Sequence, residues 1–401
     1  MPSITDALER LGIASRQQLA ERLGISQASF SRLFQASRDE IVQIGRGRAV
    51  RYALRGRLAR VATPVPVWRV PADGRVSEFG ELETLSQGRF LFQDQVFDDL
   101  PWFLWDMRPQ GFIGRGFARR ETALGLPGDL NAWTGEDILV ALTRRGEDNA
   151  GDLLLGRESL DRYLQARLTP ALFTRDDYPR LAQAAMQGEL LGSYAGGEQP
   201  KFAATLREYG QAAAESTLIE NGGRVMLETR RFNRTPAGRR AMLSGSALDM
   251  EFAGVGENWS RLASVLLREK RIAAQDAATV RLWDSFGAMI GNSDRHLGNL
   301  SFLTEDYRRF TLAPAYDMLP MRWAPSAQGE LVERNAEMAA SSLDPRSFGQ
   351  VVDMAEAFWT RVRGDGRLAG RMEGIAGLSL AALASLRRQM GLMDCRNTDH
   401  S

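Results

Sequence analysis

Along the first forty residues apolar positions recur at helical spacing, and they then switch to strict alternation. That switch predicts helices followed by a hairpin. Leu8 and Leu11 continue a helical stripe that Gly12 can end. Ser15 is placed to cap a second helix, SRQQLAERLG, with Leu19, Ala20 and Leu23 on one face. Gly24 supplies a tight turn, Ile25 plugs the corner, and Ser26 caps a third helix, SQASFSRLFQ. Ile41, Gln43 and Gly45 alternate on one side of Arg46-Gly47-Arg48, and Val50, Tyr52 and Leu54 alternate on the other. The layout is a helix-turn-helix with a basic hairpin behind it.

Downstream the pattern breaks. ATPVPVWRVPADG (62–74) holds three prolines and a glycine, which predicts an extended linker or an edge strand, with the linker at 63–75. Three short aromatic runs, FGELETL, RFLFQ and FDDLPWFLWDM, predict a small, mostly β subdomain up to about residue 110. Helical periodicity returns in GEDILVALTRR (135–145) and DYPRLAQAAMQ (177–187), closing a subdomain at 76–190. The remainder, 191–401, reads as mainly helical, through RLASVLLREKRIAAQDAATVRLWDSFGAMIGN and SFGQVVDMAEAFWTRVR. The expected fold class is α+β. No run approaches 18 uninterrupted apolar residues, so no membrane span is expected.

Charge changes the picture at the N-terminus. Residues 1–62 carry 11 arginines against five acids, whereas the rest of the chain is mildly acidic; the whole-chain net of +1 hides a basic head. With its helix-turn-helix and hairpin, this segment resembles a winged helix-turn-helix DNA-binding domain. Gln27, Ser29 and Arg32 on the third helix, with Arg46 and Arg48 at the hairpin tip, are the candidate contacts to bases and phosphates. The same shape also serves protein–protein contact. Winged helices commonly work as dimers on paired half-sites, which leaves a homodimer open.

Scarcity narrows the chemistry. The chain of 401 residues has one cysteine, Cys395, two histidines, His296 and His400, and two lysines, Lys201 and Lys270. Cys/His zinc sites and Cys–His nucleophiles are excluded by count. The single thiol and the lack of a signal-peptide pattern in MPSITDALERLG predict a cytoplasmic protein.

The chemistry gathers in GNSDRHLGNLSFLTEDYRRFTLAPAYDM (291–318). Asp294 and Asn299 stand five apart, a hairpin pattern follows, and Asp317 comes after it. Kinase-type phosphotransfer needs these parts: an Asp at the acceptor hydroxyl, an Asn five residues on, and a second Asp one hairpin later for Mg²⁺. Each residue also has an ordinary reading, as a turn residue or a cap. A hydrolase would have to use His296, but no serine sits in a G-x-S-x-G elbow; the expectation for His296 is a buried residue that orders the loop. Upstream, SYAGGEQPKF (193–202) places Gly196 and Gly197 where backbone N–H groups could cradle phosphate.

Taken together, GNSDRHLGNLSF with APAYDM, the S-x-A-G-G-E-Q-P-K-F segment and LETRRFNR resemble the HipA family of serine/threonine kinases, toxins of toxin–antitoxin systems. WFLWDMRPQGFIGRGFA and GEDNAGDLLLG are similar to the branch with its own winged helix, the YjjJ (HipH) type. The resemblance implies ATP and Mg²⁺ as cofactors, Asp294 as catalytic base, and Asn299 and Asp317 as metal ligands. It implies Gly196, Gly197, Gln199 and Lys201 in a phosphate loop, Ser193 as the autophosphorylated serine, and Arg230 and Phe232 at the adenine hinge. It also implies a translation-related protein substrate and an antitoxin partner. One departure stands out. The family's lysine-bearing strand after the phosphate loop is missing, and the chain is shortened after residue 204. The expected function is a HipA-like kinase with a DNA-binding head; the alternative is a winged-helix regulator whose kinase body is impaired.

Overall fold

The computed structural model describes residues 3–187, 205–206, 216–325, 333–336, 338, 346–368 and 370–397, without the side chains of Gln27, Arg48, Thr205, Leu206 and 392–397. Helices and mostly antiparallel sheets are mixed, in two units, Met1–Ala241 and Met242–Ser401.

The head begins with α1 (Ile4–Leu11), β1 (Ile13–Ser15), α2 (Arg16–Leu23) and α3 (Gln27–Ala36), followed by β2 (Ile41–Ile44) and β3 (Arg51–Leu54). Its helices start where the sequence said. Ser15 and Ser26 accept backbone N–H groups three residues on, and Gln18 returns the bond to the Ser15 N–H. Gly24 sits in the left-handed region, φ 63, where a side chain would be strained, and it turns the chain between α2 and α3. The three strands form an antiparallel sheet in the order β1-β3-β2. Ile4, Leu8, Leu19, Phe30, Ile41 and Tyr52 make the core, with Phe30 and Phe34 edge-on to Tyr52.

The stretch expected to be a linker is not one. Val65–Arg69 is β4, an inner strand of a five-stranded antiparallel sheet, β7-β6-β5-β4-β8, built with β5 (Ser77–Thr84), β6 (Phe90–Phe92), β7 (Gln95–Phe97) and β8 (Leu153–Leu155). Proline is tolerated there because Pro66 lies outside the β8 pairing, which runs only from Val67 to Arg69. FDDLPWFLWDM also departs from expectation: Trp102–Met107 is a 3₁₀ turn whose Phe103 packs on Phe79, Phe92 and Phe97. Helices α4 (Gly111–Arg120), α5 (Gly135–Arg145) and α6 (Gly156–Leu168) follow; α5 has the predicted bounds, with Thr134 and Asp137 as its capping box. Next come β9 (Leu172–Phe173), α7 (Tyr178–Met186), β10 (Thr205–Leu206) and the hairpin β11 (Ser216–Asn221) and β12 (Arg224–Thr229).

The head is seated on this sheet rather than hung from it. Val42, Ile44 and Ala53 pack with Leu85 and Leu91. Arg55 pairs with the nine-tenths-buried Glu83, the Gly56 N–H donates to the Thr84 carbonyl at 2.7 Å, and Asp94 accepts the Gly45 N–H. Burying each of the large apolar side chains contributes about 2 kcal/mol.

In the second unit, β13 (Ala241–Ser244) leads through α8 (Gly245–Leu248) to α9 (Trp259–Arg268) and α10 (Ala274–Met289). Then β14 (Ser301–Thr304) and β15 (Phe310–Leu312) complete a sheet in the order β13-β14-β15, and α11 (Phe348–Gly364) and α12 (Arg371–Asn397) close the chain. Met289, Ile290 and Trp323 share a core with Val351, Trp359, Ala376 and Leu383, which anchors the end of α10. The loop that leaves that end carries Asp294 and Asn299. Among the described residues no helix is long and apolar enough to cross a membrane.

Candidate active-site loop

Gly291 turns the chain out of α10 at φ 70, and a Cβ there would meet the Trp323 ring at 2.4 Å. The next residue, Asn292, is 1% exposed. Its Oδ1 accepts the Asp294 N–H at 2.9 Å, and its Nδ2 donates to the Asp317 carbonyl at 3.4 Å. One buried amide therefore ties together two residues that are 23 positions apart in sequence.

Asn299 closes the loop on itself. Its Nδ2 donates to the Asp294 carbonyl at 2.9 Å and to Asp294 Oδ2 at 3.3 Å. The spacing of five works because Leu297–Asn299 is a 3₁₀ turn capped by His296, whose Nδ1 accepts the Gly298 N–H at 3.0 Å. The turn is pinned from α9 and the loop before it: Trp259 Nε1 donates to the His296 carbonyl at 2.9 Å, and Glu257 accepts the Leu297 N–H at 2.7 Å. Arg295 points back at α10, where Asp284 Oδ1 accepts its Nε at 3.2 Å and Ser260 donates to the other carboxylate oxygen at 2.6 Å. Gly287 leaves room for this arginine, since a Cβ there would meet its Cδ at 2.5 Å.

Asp317 follows β15 with its carboxylate exposed and its backbone in the left-handed region, φ 50. Asp is among the residues that tolerate that region. Tyr316 holds the segment in place: its hydroxyl donates to the Gly298 carbonyl at 2.9 Å and lies 2.7 Å from Ser301 Oγ. The hairpin before it turns on Asp306, whose carboxylate accepts the Arg308 and Arg309 N–H groups at 2.8 Å each and is held below its usual pKa chiefly by the Arg309 bond.

Asp294, Asn299 and Asp317 thus belong to one bonded loop. Among the described residues nothing bonds the Asp317 carboxylate or Asn299 Oδ1, so a carboxylate and an amide oxygen remain available, the hard donors that suit Mg²⁺. No group of three or more His, Cys, Asp or Glu side chains among the described residues could hold a metal ion by itself. The pair therefore fits a cation that is also held by phosphate and water rather than a protein cage. His296 is not the buried residue expected; its side chain is 49% exposed. Asn292, Tyr316 and the Asp284–Arg295 pair were not singled out from the sequence, because an Asn or Tyr carries no motif until its partners are known.

Ser193, Gly196, Gly197, Gln199 and Lys201, and the shortening after 204, lie outside the described residues. Arg230 and Phe232 belong to the first unit, just past β12. Their neighbours Arg231 and Arg234 bond Asp148 Oδ1 at 3.4 and 3.1 Å. Burial pushes that carboxyl up, but Arg231, Arg234 and Arg239 override it and hold it below the usual carboxylate range. Lys270 is exposed between α9 and α10, as expected.

In the head, Arg32 and Arg46 are exposed. Ser29 is half-buried and its hydroxyl lies 3.1 Å from Ser26, within the cap of its own helix. The side chains of Gln27 and Arg48 lie outside the described residues.

Two family models match this chain: the middle domain of YjjJ-like toxins over residues 61–164 and the HipA-like C-terminal domain over 195–371. A curated relative, toxin YjjJ of Escherichia coli (strain K12), is 34% identical over 429 residues, covering 94% of this chain and 96% of the relative. Among solved structures, a Shewanella oneidensis MR-1 complex of HipA, HipB and operator DNA covers 79% of this chain and 96% of its own chain. At 12% identity and a TM-score of 0.40, that likeness is too slight to carry the reading.

Proposed function

The chain belongs to the YjjJ-like toxin family, with a HipA-like C-terminal domain, and from that premise we propose that it is a protein kinase. It transfers the γ-phosphate of ATP to a serine or threonine hydroxyl, and a DNA-binding winged helix carries it. The observation that bears most weight is the Asn292 clip, which joins the Asp294 and Asp317 backbones inside one loop.

In this reading Asp294 receives the acceptor's hydroxyl proton, and Asn299 both fixes that carboxylate and offers Oδ1 beside Asp317 to the metal. Mg²⁺ bound there would screen the phosphate charge of ATP. Catalysis of this kind is mostly positioning and electrostatics, which is what a loop of mutually bonded side chains provides. Ser193, the Gly196–Gly197 pair, Gln199 and Lys201 are proposed for the phosphate loop, and Arg230 and Phe232 for the adenine side.

The head's order α1-β1-α2-α3-β2-β3, with the Gly24 turn, supports a winged helix. Exposed Arg32 and Arg46 support its use on DNA, with Gln27, Ser29 and Arg48 as further contacts. A homodimer on paired half-sites, an antitoxin partner, a translation-related substrate and a cytoplasmic location complete the proposal.

A second reading, a DNA-binding regulator with an impaired kinase body, is favoured by one observation. Of two lysines, Lys270 is exposed at a helix turn and Lys201 belongs to the loop. The aligned span of 429 positions exceeds the chain's 401 residues, in keeping with a lost segment. The deciding experiment is the intact mass of the full chain before and after Mg-ATP, beside Asp317→Ala. One added phosphate in the wild type alone supports the kinase. No gain on a protein purified without phosphate turns the reading to the regulator, whose test is salt-dependent binding to a defined DNA site.

A further inference from the structure

His296 has a place in the loop that its capping role does not exhaust. Its Nδ1 accepts the Gly298 N–H at 3.0 Å, so the proton of the neutral ring stands on Nε2. That Nε2 faces Asp294 Oδ1 at 3.7 Å. On the other side, Asn299 Nδ2 reaches Asp294 Oδ2 at 3.3 Å. The ring sits close over its own turn. Its backbone carbonyl is held by Trp259, and Gly298 lies flat beneath it, where a Cβ would come within 2.7 Å of Cε1 and 2.8 Å of Nδ1.

Nδ1 is thus an acceptor, and the Nε2–H stands 3.7 Å from Asp294 Oδ1, just beyond a hydrogen bond. A ring so placed has no free lone pair with which to take a substrate proton. We propose that His296 is a positioning residue for the proton acceptor, its Nε2–H steering Oδ1 of Asp294 while Asn299 steers Oδ2. Contacts of this kind commonly stand long in a free enzyme and tighten in the complex with substrate. The inference rests on the kinase reading. In that reaction the acceptor oxygen bonds to the γ-phosphorus and the bond from phosphorus to the β–γ bridging oxygen breaks. ADP leaves with that electron pair, and the hydroxyl proton goes to Asp294. Each carboxylate oxygen has two lone pairs, so holding one on each leaves room for the incoming proton. What His296 contributes is the direction in which Asp294 presents it.

Conservative variants separate this from capping. Asparagine at 296 can still accept the Gly298 N–H but cannot reach Asp294. Glutamine places its N–H near the Nε2 position but loses the cap. In self-phosphorylation by the full chain, His296→Ala is expected to lower the rate at saturating Mg-ATP on the order of a hundredfold, with half-saturation unchanged. His296→Gln should recover most of that loss and His296→Asn little. The reverse order, Asn rescuing and Gln not, overturns the proposal in favour of a cap alone.

A second measurement does not need activity. His400 is the only other histidine, so a chain labelled with nitrogen-15 histidine gives two ring signals, and His296→Ala assigns them. The expected spectrum shows His296 protonated at Nε2, with that proton shifted in Asp294→Asn. A proton on Nδ1, or a signal indifferent to Asp294→Asn, rejects the placement. If the wild type transfers no phosphate, the kinase reading fails by mass while the spectrum still decides where His296 points.

Discussion

The head and the 291–318 loop are built from the same devices, capped helical turns and glycines at tight corners, but they hold their functional groups in opposite ways. On the head, Arg32 and Arg46 stand exposed on separate elements, α3 and the hairpin tip. In the loop, Asn292, Asp294, His296 and Asn299 bond to one another, and Asn292 and Tyr316 reach on to the Asp317 segment. Groups that meet an extended polyanion can act separately, since each neutralises its own phosphate. Groups that move one proton and one phosphoryl must share a geometry of fractions of an ångström. The fold supports the two cases accordingly: the head is bonded at its base, and the loop through most of its residues.

The largest expected effect breaks the loop. Asp294→Asn should lower phosphotransfer by about a thousandfold or more with melting temperature unchanged, as measured by intact-mass time courses and calorimetry. A variant with wild-type rates would remove the loop from the chemistry. Next is the base of the head. Arg55→Ala leaves Glu83 buried and unpaired and should destabilise the first unit by about 3 kcal/mol at neutral pH in urea melts. Burial already raises the Glu83 pKa above its ordinary 4.5, against the pull of Arg55. A raised acid favours the folded state below the unfolded value, and that contribution is lost as pH rises through the folded one. The Arg55→Ala penalty should therefore shrink as the pH falls toward 4.5; a penalty independent of pH would place the loss in packing instead.

Asn292→Ala tests the clip. It leaves the Asp294 N–H without its partner and the Asp317 carbonyl with the Leu319 N–H alone, and should lower the transfer rate about a hundredfold and stability by about 1–2 kcal/mol. Combined with Asn299→Ala, the losses should be strongly non-additive, since Asn292 holds the Asp294 backbone N–H and Asn299 its carbonyl and carboxylate. The smallest effects belong to the head's surface. Arg32→Ala and Arg46→Ala should each weaken DNA binding a few-fold, lower the salt slope by about one, and add when combined. Coupling between them would mean that the head holds its groups as the loop does.

Legibility in the sequence follows the same division. The head's second and third helices and its hairpin, the bounds of α5, and the D-x-x-x-x-N loop with its following hairpin were all readable. Each depends on contacts within a few residues, such as Ser15 with Gln18 or His296 with Gly298. Three things were not readable. Val65–Arg69 looked like a linker because its prolines are read locally, while its place between β5 and β8 depends on partners 8 to 17 and 84 to 88 residues away. Asn292 drew no attention because its partner Asp317 lies beyond a hairpin. His296 was expected to order the loop from a buried position; it does cap the turn, but its side chain is 49% exposed while Leu297 beside it is buried.

The sequence by itself picked out Asp294, Asn299 and Asp317 as the candidates for the proposed phosphoryl transfer, and it excluded Cys–His nucleophiles and Cys/His zinc sites by count. It also determined where short-range turns would form, because caps, glycines and periodicity act over one helical turn. Only the tertiary structure decided that the head is seated on the middle sheet and that Asn292 joins the two acidic segments. Those contacts join residues brought together by the packing of separate elements, and no local pattern carries that information.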